Sequence, residues 1–365
     1  MDDVLDDVSR RQLLAGAGGF GVGLLGGFAV SEVLDSGPET ASRLPVPSPE
    51  PPLRDDPAPL TLEEGTTRVP TGTYRWSSGG LEVDQDAALV GAGAPGSVVF
   101  SLTGGTMKGE ISGTVRNIVV RGSNFESKAG LDLRPGASVD GFVWPEGGQE
   151  PEDRTFYTPT GGDEPVTVTN SAWAWMSNNG AYTDKPPMQY RNCVAINNNV
   201  SQIRLGHRDG TPTDATSYVW NSLIGVTRSV ETGENSPEGR GIWIHAPGNF
   251  VIENCWFVYH REAGATHPIQ FDEEAAGSNV TIRNCAFYNE TGNSLVSDRT
   301  DGDVSVSIEN CIVQGPGSKS VPLGVDDSGL TRGSTAFPLP STVTGYLVAD
   351  RIEGVGPDVA PWAGT

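Results

Sequence analysis

Ile252-Glu253-Asn254-Cys255-Trp256-Phe257 is followed 30 residues later by Ile282-Arg283-Asn284-Cys285-Ala286-Phe287, and then by Ile308-Glu309-Asn310-Cys311-Ile312-Val313. Working outward, the same frame recurs at Val219-Trp220-Asn221-Ser222-Leu223-Ile224 and at Tyr190-Arg191-Asn192-Cys193-Val194-Ala195-Ile196. A more distant copy is Val115-Arg116-Asn117-Ile118-Val119-Val120. The last five asparagines are separated by 29, 33, 30 and 26 residues. From Asn117 to Asn192 is 75 residues, room for three coils of 25, and a degenerate copy, Val139-Asp140-Gly141-Phe142-Val143, stands 24 residues after Asn117.

A period of this length, built from short alternating segments, specifies a solenoid. Leucine-rich repeats share the period, but their Leu-x-x-Leu-x-Leu frame is missing. The order apolar-x-Asn-x-x-apolar fits a strand, a tight bend and a second strand. Asparagine suits the bend because it tolerates left-handed backbone angles and its amide bonds locally. Stacked coils would set those amides in a ladder, each satisfying the next. The 48 glycines and 27 prolines, with only 7% aromatic residues, agree with many turns and short strands. The expected fold is all-β: a single-stranded right-handed parallel β-helix of about 8–10 coils.

Three further stretches carry a family resemblance. Val69-Pro70-Thr71-Gly72-Thr73-Tyr74, Leu81-Glu82-Val83 and Ala88-Leu89-Val90-Gly91-Ala92-Gly93 look like the N-terminal segment and first coil of the pectin-lyase-like superfamily of right-handed parallel β-helices. The resemblance covers about residues 66–350. The stretch Asn197-Asn198-Asn199-Val200-Ser201-Gln202-Ile203-Arg204-Leu205-Gly206 and the stretch Arg240-Gly241-Ile242-Trp243-Ile244-His245 resemble twin-arginine-exported β-helix proteins of halophilic archaea.

Charge and the N-terminus bear on environment. Lys+Arg total 24 against 46 Asp+Glu, a net of −22, and only Lys108, Lys128, Lys185 and Lys319 are lysines. Such a surface stays hydrated in high salt, which screens its self-repulsion. Phosphate would be repelled, so nucleic acid is not an expected partner. Ser9-Arg10-Arg11-Gln12-Leu13-Leu14, followed by the apolar, glycine-rich run Ala15 to Val30, reads as a twin-arginine export signal. The expected location is extracellular or cell-surface. The run is short for a spanning helix but could be retained as a membrane anchor. Residues 1–35 are therefore a signal segment, 36–60 a proline-rich linker, 61–350 the β-helix domain, and 351–365 a C-terminal tail.

Cys193, Cys255, Cys285 and Cys311 all occupy one repeat position. The last three fall in consecutive coils, about 4.8 Å apart, within disulfide reach. Buried thiols, one disulfide among those three, and a metal site all stay open, although Cys-x₂-Cys spacing is absent.

Alternation places one sheet's strands at 130–134, 200–205, 241–245, 267–272 and 293–297. Leu131, Leu133, Ile203, Leu205, Ile242, Ile244, Ile269, Phe271 and Leu295 would point inward. Asp132, Arg134, Gln202, Arg204, Trp243, His245, Gln270 and Asp272 would point outward. Arg204, Trp243 and Gln270 then form a row of a cation, a flat aromatic surface and an amide, the kind of surface that stacks a sugar ring and pairs its carboxylate. His207, His245, His260 and His267 lie within the same few coils, beside charged residues, which marks a candidate site.

Two function classes follow. One is an exported protein that binds or cleaves an acidic polysaccharide, with Arg204, His207, Arg240, His245 and Asp272 as catalytic candidates and Trp243, Gln270 and Arg134 as substrate contacts. For a lyase, the family resemblance implies Ca²⁺ held by carboxylates. Asp272, Glu273, Asp298 and Asp303 are candidate ligands, with Arg204 or Arg240 as base. A hydrolase would need two carboxylates across the glycosidic bond. The Gly-His-Gly and Arg-Ile-Lys strings of polygalacturonases are absent. The other class is a non-catalytic adhesin, glycan-binding or envelope protein. Asn-x-Ser/Thr glycosylation acceptors occur at Asn199, Asn279 and Asn289, the last two expected at turns.

Overall fold

A computed structural model describes residue 57 and residues 60–332, apart from 78, 124–127, 146, 148–149, 213, 228–237, 262–263, 318–319 and 323–324. The signal segment, nearly all of the linker and everything after residue 332 lie outside the described residues. The chain winds as a parallel β-solenoid, and every strand pairing is parallel. One face is a ten-stranded sheet: Leu60–Leu62, Gly80–Val83, Lys108–Ile111, Gly130–Leu133, Phe156–Tyr157, Ala181–Thr183, Ser201–Leu205, Arg240–Ile244, Ile269–Phe271 and Val296–Asp298. Nine turns separate its first strand from its last.

Two further faces run alongside, meeting at the repeat's asparagine. Thr114–Arg121 and Ser138–Trp144 are long strands that serve both faces. They bend at Asn117 (φ 58°) and Gly141 (φ 71°). In later coils the bend breaks the strand in two, with Asn192, Asn221, Asn254, Asn284 and Asn310 all at φ between 46° and 56°. Asn170 (φ 50°) is a further copy that the repeat pattern missed. It stands one coil before Asn192, so the interval from Asn117 to Asn192 does hold three coils.

The expected amide ladder is present. Asn170 donates to Asp140 at 2.7 Å, Asn192 to Asn170 at 3.0 Å, Asn221 to Asn192 at 3.3 Å, and Asn254 to Asn221 at 2.5 Å. Asn310 donates to Asn284 at 2.7 Å. The residue after each asparagine is buried and points back into the wall. Cys255 Sγ reaches the Glu253 carbonyl at 3.3 Å, and Ser222 Oγ reaches the Trp220 carbonyl at 2.7 Å. All four cysteines are free and buried, so the thiol alternative holds among those left open.

Inward residues of the three faces fill one continuous core. Phe257 and Phe287 stack across adjacent coils, centroids 4.8 Å apart and planes within 9°. Each such ring contributes about 1.5–3 kcal/mol by leaving water. A smaller apolar cluster, including Ile196, Leu223, Trp256 and Val258, lies on the outer side of the third face.

Candidate functional site

Strand register on the ten-stranded sheet lines up one outward residue per coil. In order these are Glu82, Glu110, Asp132, Tyr157, Tyr182, Arg204, Trp243, Gln270 and Ser297. The row Arg204–Trp243–Gln270 is as expected from alternation. The expected inward residues of this sheet are buried. Leu295 is among them, but the strand that follows begins at Val296, which aligns with Ile269.

Two strands of this face escaped the alternation pattern. Phe156–Tyr157 and Ala181–Thr183 are only two and three residues long, too short to show a period. They bring Tyr157 and Tyr182 into the row. The rings meet edge to face at 5.3 Å. The Arg154 guanidinium sits 4.0 Å above Tyr157, and that of Arg204 lies 3.9 Å from Tyr182 and 4.7 Å from Trp243. Arg240 covers Trp243 at 4.3 Å. Arginines thus flank a tyrosine pair and a tryptophan along the stripe Arg154, Tyr157, Tyr182, Arg204, Trp243, Arg240, each contact attractive through the ring quadrupole.

Two residues beyond the row lies a charged cluster. Asp184, 0% exposed, accepts from Arg204 Nε at 2.9 Å and pairs with Arg204 Nη2 at 2.8 Å. Its other oxygen, Oδ1, has no hydrogen-bond partner among the described residues. Arg204 and Arg208 both direct Nη2 at His245 Nδ1, Arg204 at 2.8 Å. Guanidinium groups only donate, so Nδ1 accepts and the imidazole proton sits on Nε2. Nε2 faces Asp272 Oδ2 at 3.2 Å. Burial, then the charges of Arg204 and Arg208, pull His245 down to about 4, so the ring is neutral at pH 7. Glu274 pairs with Arg208 at the solvent edge. Gly206 occupies the coil between Asp184 and His245, where a Cβ would lie 2.7 Å from Ala246 Cβ and 2.9 Å from the Asp184 carbonyl. Only glycine lets the backbones of these coils approach so closely there.

The expected site therefore assembles in part. His245, Asp272, Arg204, Trp243, Gln270 and Arg240 share one face. His207 does not join them: its Nε2 bonds Ser217 Oγ at 2.9 Å, its ring packs on Phe250, and burial pulls it down to about 4. His260 pairs with Glu290 on another face, and His267 bonds the Ser294 carbonyl. Arg134 is tied to Glu110 at 2.5 Å, farther up the sheet. Arg204, expected as a base or carboxylate contact, is buried with its fork held by Asp184 and His245. It is a fixed cation and a prop for its neighbours.

The carboxylates expected for Ca²⁺ do not gather. Asp272 faces His245 and caps the short 3₁₀ turn Glu273–Ala275, while Asp298 accepts from Thr300 N and Oγ1. Among the described residues no group of three or more His, Cys, Asp or Glu side chains is arranged to hold a metal ion. Of the glycosylation acceptors, Asn199 and Asn289 are buried, whereas Asn279 is exposed on the strand Ser278–Arg283.

Tyr182, Asp184 and Arg208 stand on this face and were missed by sequence reasoning. A signal existed: Tyr182 stands 22 residues before Arg204, one coil upstream in the expected row. No known protein family, curated protein or solved structure matches the chain.

Proposed function

We propose that the outward stripe of the ten-stranded sheet binds an acidic polysaccharide, on a protein exported to the cell surface. The observation that carries this is the continuous run of arginines and rings over four coils, from Arg154 to Arg240. Coils about 4.8 Å apart present a linear track, and an extended glycan is the linear ligand that uses rings and cations together. The resemblance to pectin-lyase-like β-helices supports the same ligand class by analogy alone. The twin-arginine segment supports the location.

Binding without cleavage is the favoured form. Both His245 nitrogens are engaged and Arg204 is held by Asp184, so neither has a free lone pair for proton abstraction. Cleavage is the second reading, on one observation: the Asp272 side chain is 17% exposed and faces the imidazole, an acid–imidazole pair open to solvent.

Titration of uronate and neutral oligosaccharides by calorimetry tests the proposal. Trp243→Ala should weaken uronate binding roughly tenfold, the loss of one stacking surface. Trp220→Ala, on another face, should leave it unchanged. Equal binding by the parent and Trp243→Ala, or no binding by the parent, would sink it. Absorbance of unsaturated products and release of reducing ends decide between the two forms.

A further inference from the structure

Three buried N–H donors on adjoining side chains of the stripe have no acceptor among the described residues: Arg240 Nη1, Gln270 Nε2 and Trp243 Nε1. Trp243 and Gln270 are cross-strand neighbours, and Arg240 lies over the Trp243 ring. Arg240 Nε donates to Gln270 Oε1 at 3.0 Å. That bond fixes the amide with its oxygen toward the guanidinium and its NH₂ turned away. Arg240 and Gln270 are 5% and 1% exposed, so the orphaned donors carry the full desolvation penalty of unmade hydrogen bonds. Unpartnered donors on three adjoining side chains, two of them on a charged or amide fork, describe a receptor for an oxyanion.

The mouth of this spot already holds a carboxylate. Glu238 pairs with Arg240 Nη2, and its side chain is 43% exposed while that of Arg240 is 6% exposed. Burial pulls the Arg240 guanidinium down to about 10, with the nearby Arg299 charge acting the same way. The group stays charged at neutral pH, and the Asp272 carboxylate opposes the shift. An exposed carboxylate on a buried guanidinium is exchangeable: its release returns Glu238 to water and opens Arg240 to another anion.

We propose that Arg240, Gln270 and Trp243 form a subsite for one oxyanion of the bound glycan, a carboxylate or a sulfate ester, which displaces Glu238 from Arg240. This rests on the reading of the stripe as a polysaccharide track and deepens it by naming the recognised group. No bond is made or broken.

Three full-length variants test it by calorimetry against uronate, sulfated and neutral oligosaccharides of equal length. Gln270→Glu keeps the bond to Arg240 but turns two donors into an acceptor and adds a negative charge. It should lower affinity for the anionic ligands tenfold or more and leave the neutral ligand unchanged. Glu238→Gln should raise anionic affinity several-fold, and Trp243→Phe should lower it about threefold. Unfolding temperature and circular dichroism check that each variant is folded. Anionic affinity unchanged in Gln270→Glu, or reduced in Glu238→Gln, overturns the subsite, and the stripe can survive that result through Trp243→Ala. If the parent binds no glycan, the stripe reading fails, and the subsite is then decided with inorganic sulfate. Sulfate that raises the parent's unfolding temperature but not that of Gln270→Glu supports an oxyanion site, and equal behaviour of the two overturns it.

Discussion

The molecule carries two stacks built from the same parts, and they end differently. At the asparagine edge, Arg191 covers Trp220 at 4.8 Å, and Trp220 Nε1 donates to Glu253 at 3.1 Å. Glu253 also takes Arg283 at 2.7 Å, while the amides beside it donate up the ladder. A shallow groove lined by Arg191, Trp220, Glu253 and ladder amides runs along this edge. On the ten-stranded sheet, Arg240 covers Trp243 in the same way, but the next coil offers Gln270, whose oxygen is taken by Arg240. Trp243 Nε1 has no acceptor among the described residues. One carboxylate makes the difference. Where an acid closes the stack, the indole and its neighbours serve the scaffold. Where an amide stands instead, donors remain for something from outside.

The strongest way to break this contrast is at Asp184. Asp184→Ala leaves Arg204 buried without its partner, and Arg204 props both Tyr182 and Trp243. Removing one member of such a pair costs about 3–5 kcal/mol. Denaturant unfolding should show that loss. A change below about 1 kcal/mol would mean that the pair is solvated and the stripe is not rigid.

The asparagine edge is next. Asn254→Ala removes a ladder amide and forces alanine into a left-handed backbone, so the cost should be about 1–3 kcal/mol. Asn254→Gly keeps the backbone relaxed and isolates the amide's share, which should be the smaller part. If the two variants are equally stable, the ladder and not the backbone angle selects asparagine. Neither should alter glycan binding.

How far these two stacks were legible in the sequence follows from their chemistry. The asparagine edge shows because its bend needs a left-handed backbone at every coil, and only a few residues supply it. Even its gap is physical: at Asp140-Gly141 the glycine provides the backbone angle and the aspartate provides the acceptor, so two residues share what one asparagine does elsewhere. The site face is only half legible. Alternation revealed Arg204, Trp243, His245, Gln270 and Asp272, because large apolar residues alternate with them along residues 203–205, 242–244 and 269–271. Tyr182 stands between Ala181 and Thr183, which carry no apolar alternation, so it and Asp184 declare themselves only by distance from the next coil. His207 misleads because its neighbours in sequence are charged, while its neighbours in space are Ser217 and Phe250.

Acid should separate the two stacks. His207 and His245 are both pulled from 6.5 to about 4, and burial lowers His267 as well. Unfolded, these rings take up protons near pH 6.5, and folded they resist to about pH 4. Their stabilising contribution is complete above the unfolded value and is lost as pH falls toward the folded one. Between pH 7.5 and 5.5, where carboxylates stay ionised, the unfolding temperature should fall by a few degrees. Amides of Ser201–Leu205 and Arg240–Ile244 should lose exchange protection first. The strand Ser278–Arg283, which leads into the asparagine edge at Asn284, should keep it. A pH-independent profile, or loss at the asparagine edge first, would show that the buried rings do not hold the site face together.

The smallest effect expected is at the cysteines, and it asks whether sulfur matters to the edge at all. Ser222 stands one coil before Cys255, and its hydroxyl takes the carbonyl two residues back, as the thiol of Cys255 does. Ser171 repeats the same contact with the Thr169 carbonyl at 2.8 Å. The wall thus already accepts a hydroxyl at this position. Cys255→Ser should cost no more than about 1 kcal/mol, because the lost apolar contact is offset by a shorter and stronger hydrogen bond. Burial also pushes the Cys193 thiol up to about 12, which keeps it protonated and unreactive. Thiol reagents should therefore label the folded protein slowly and the unfolded protein at once. Rapid labelling of the native chain, or a loss of several kcal/mol in Cys255→Ser, would assign the sulfurs a task that a buried turn does not need.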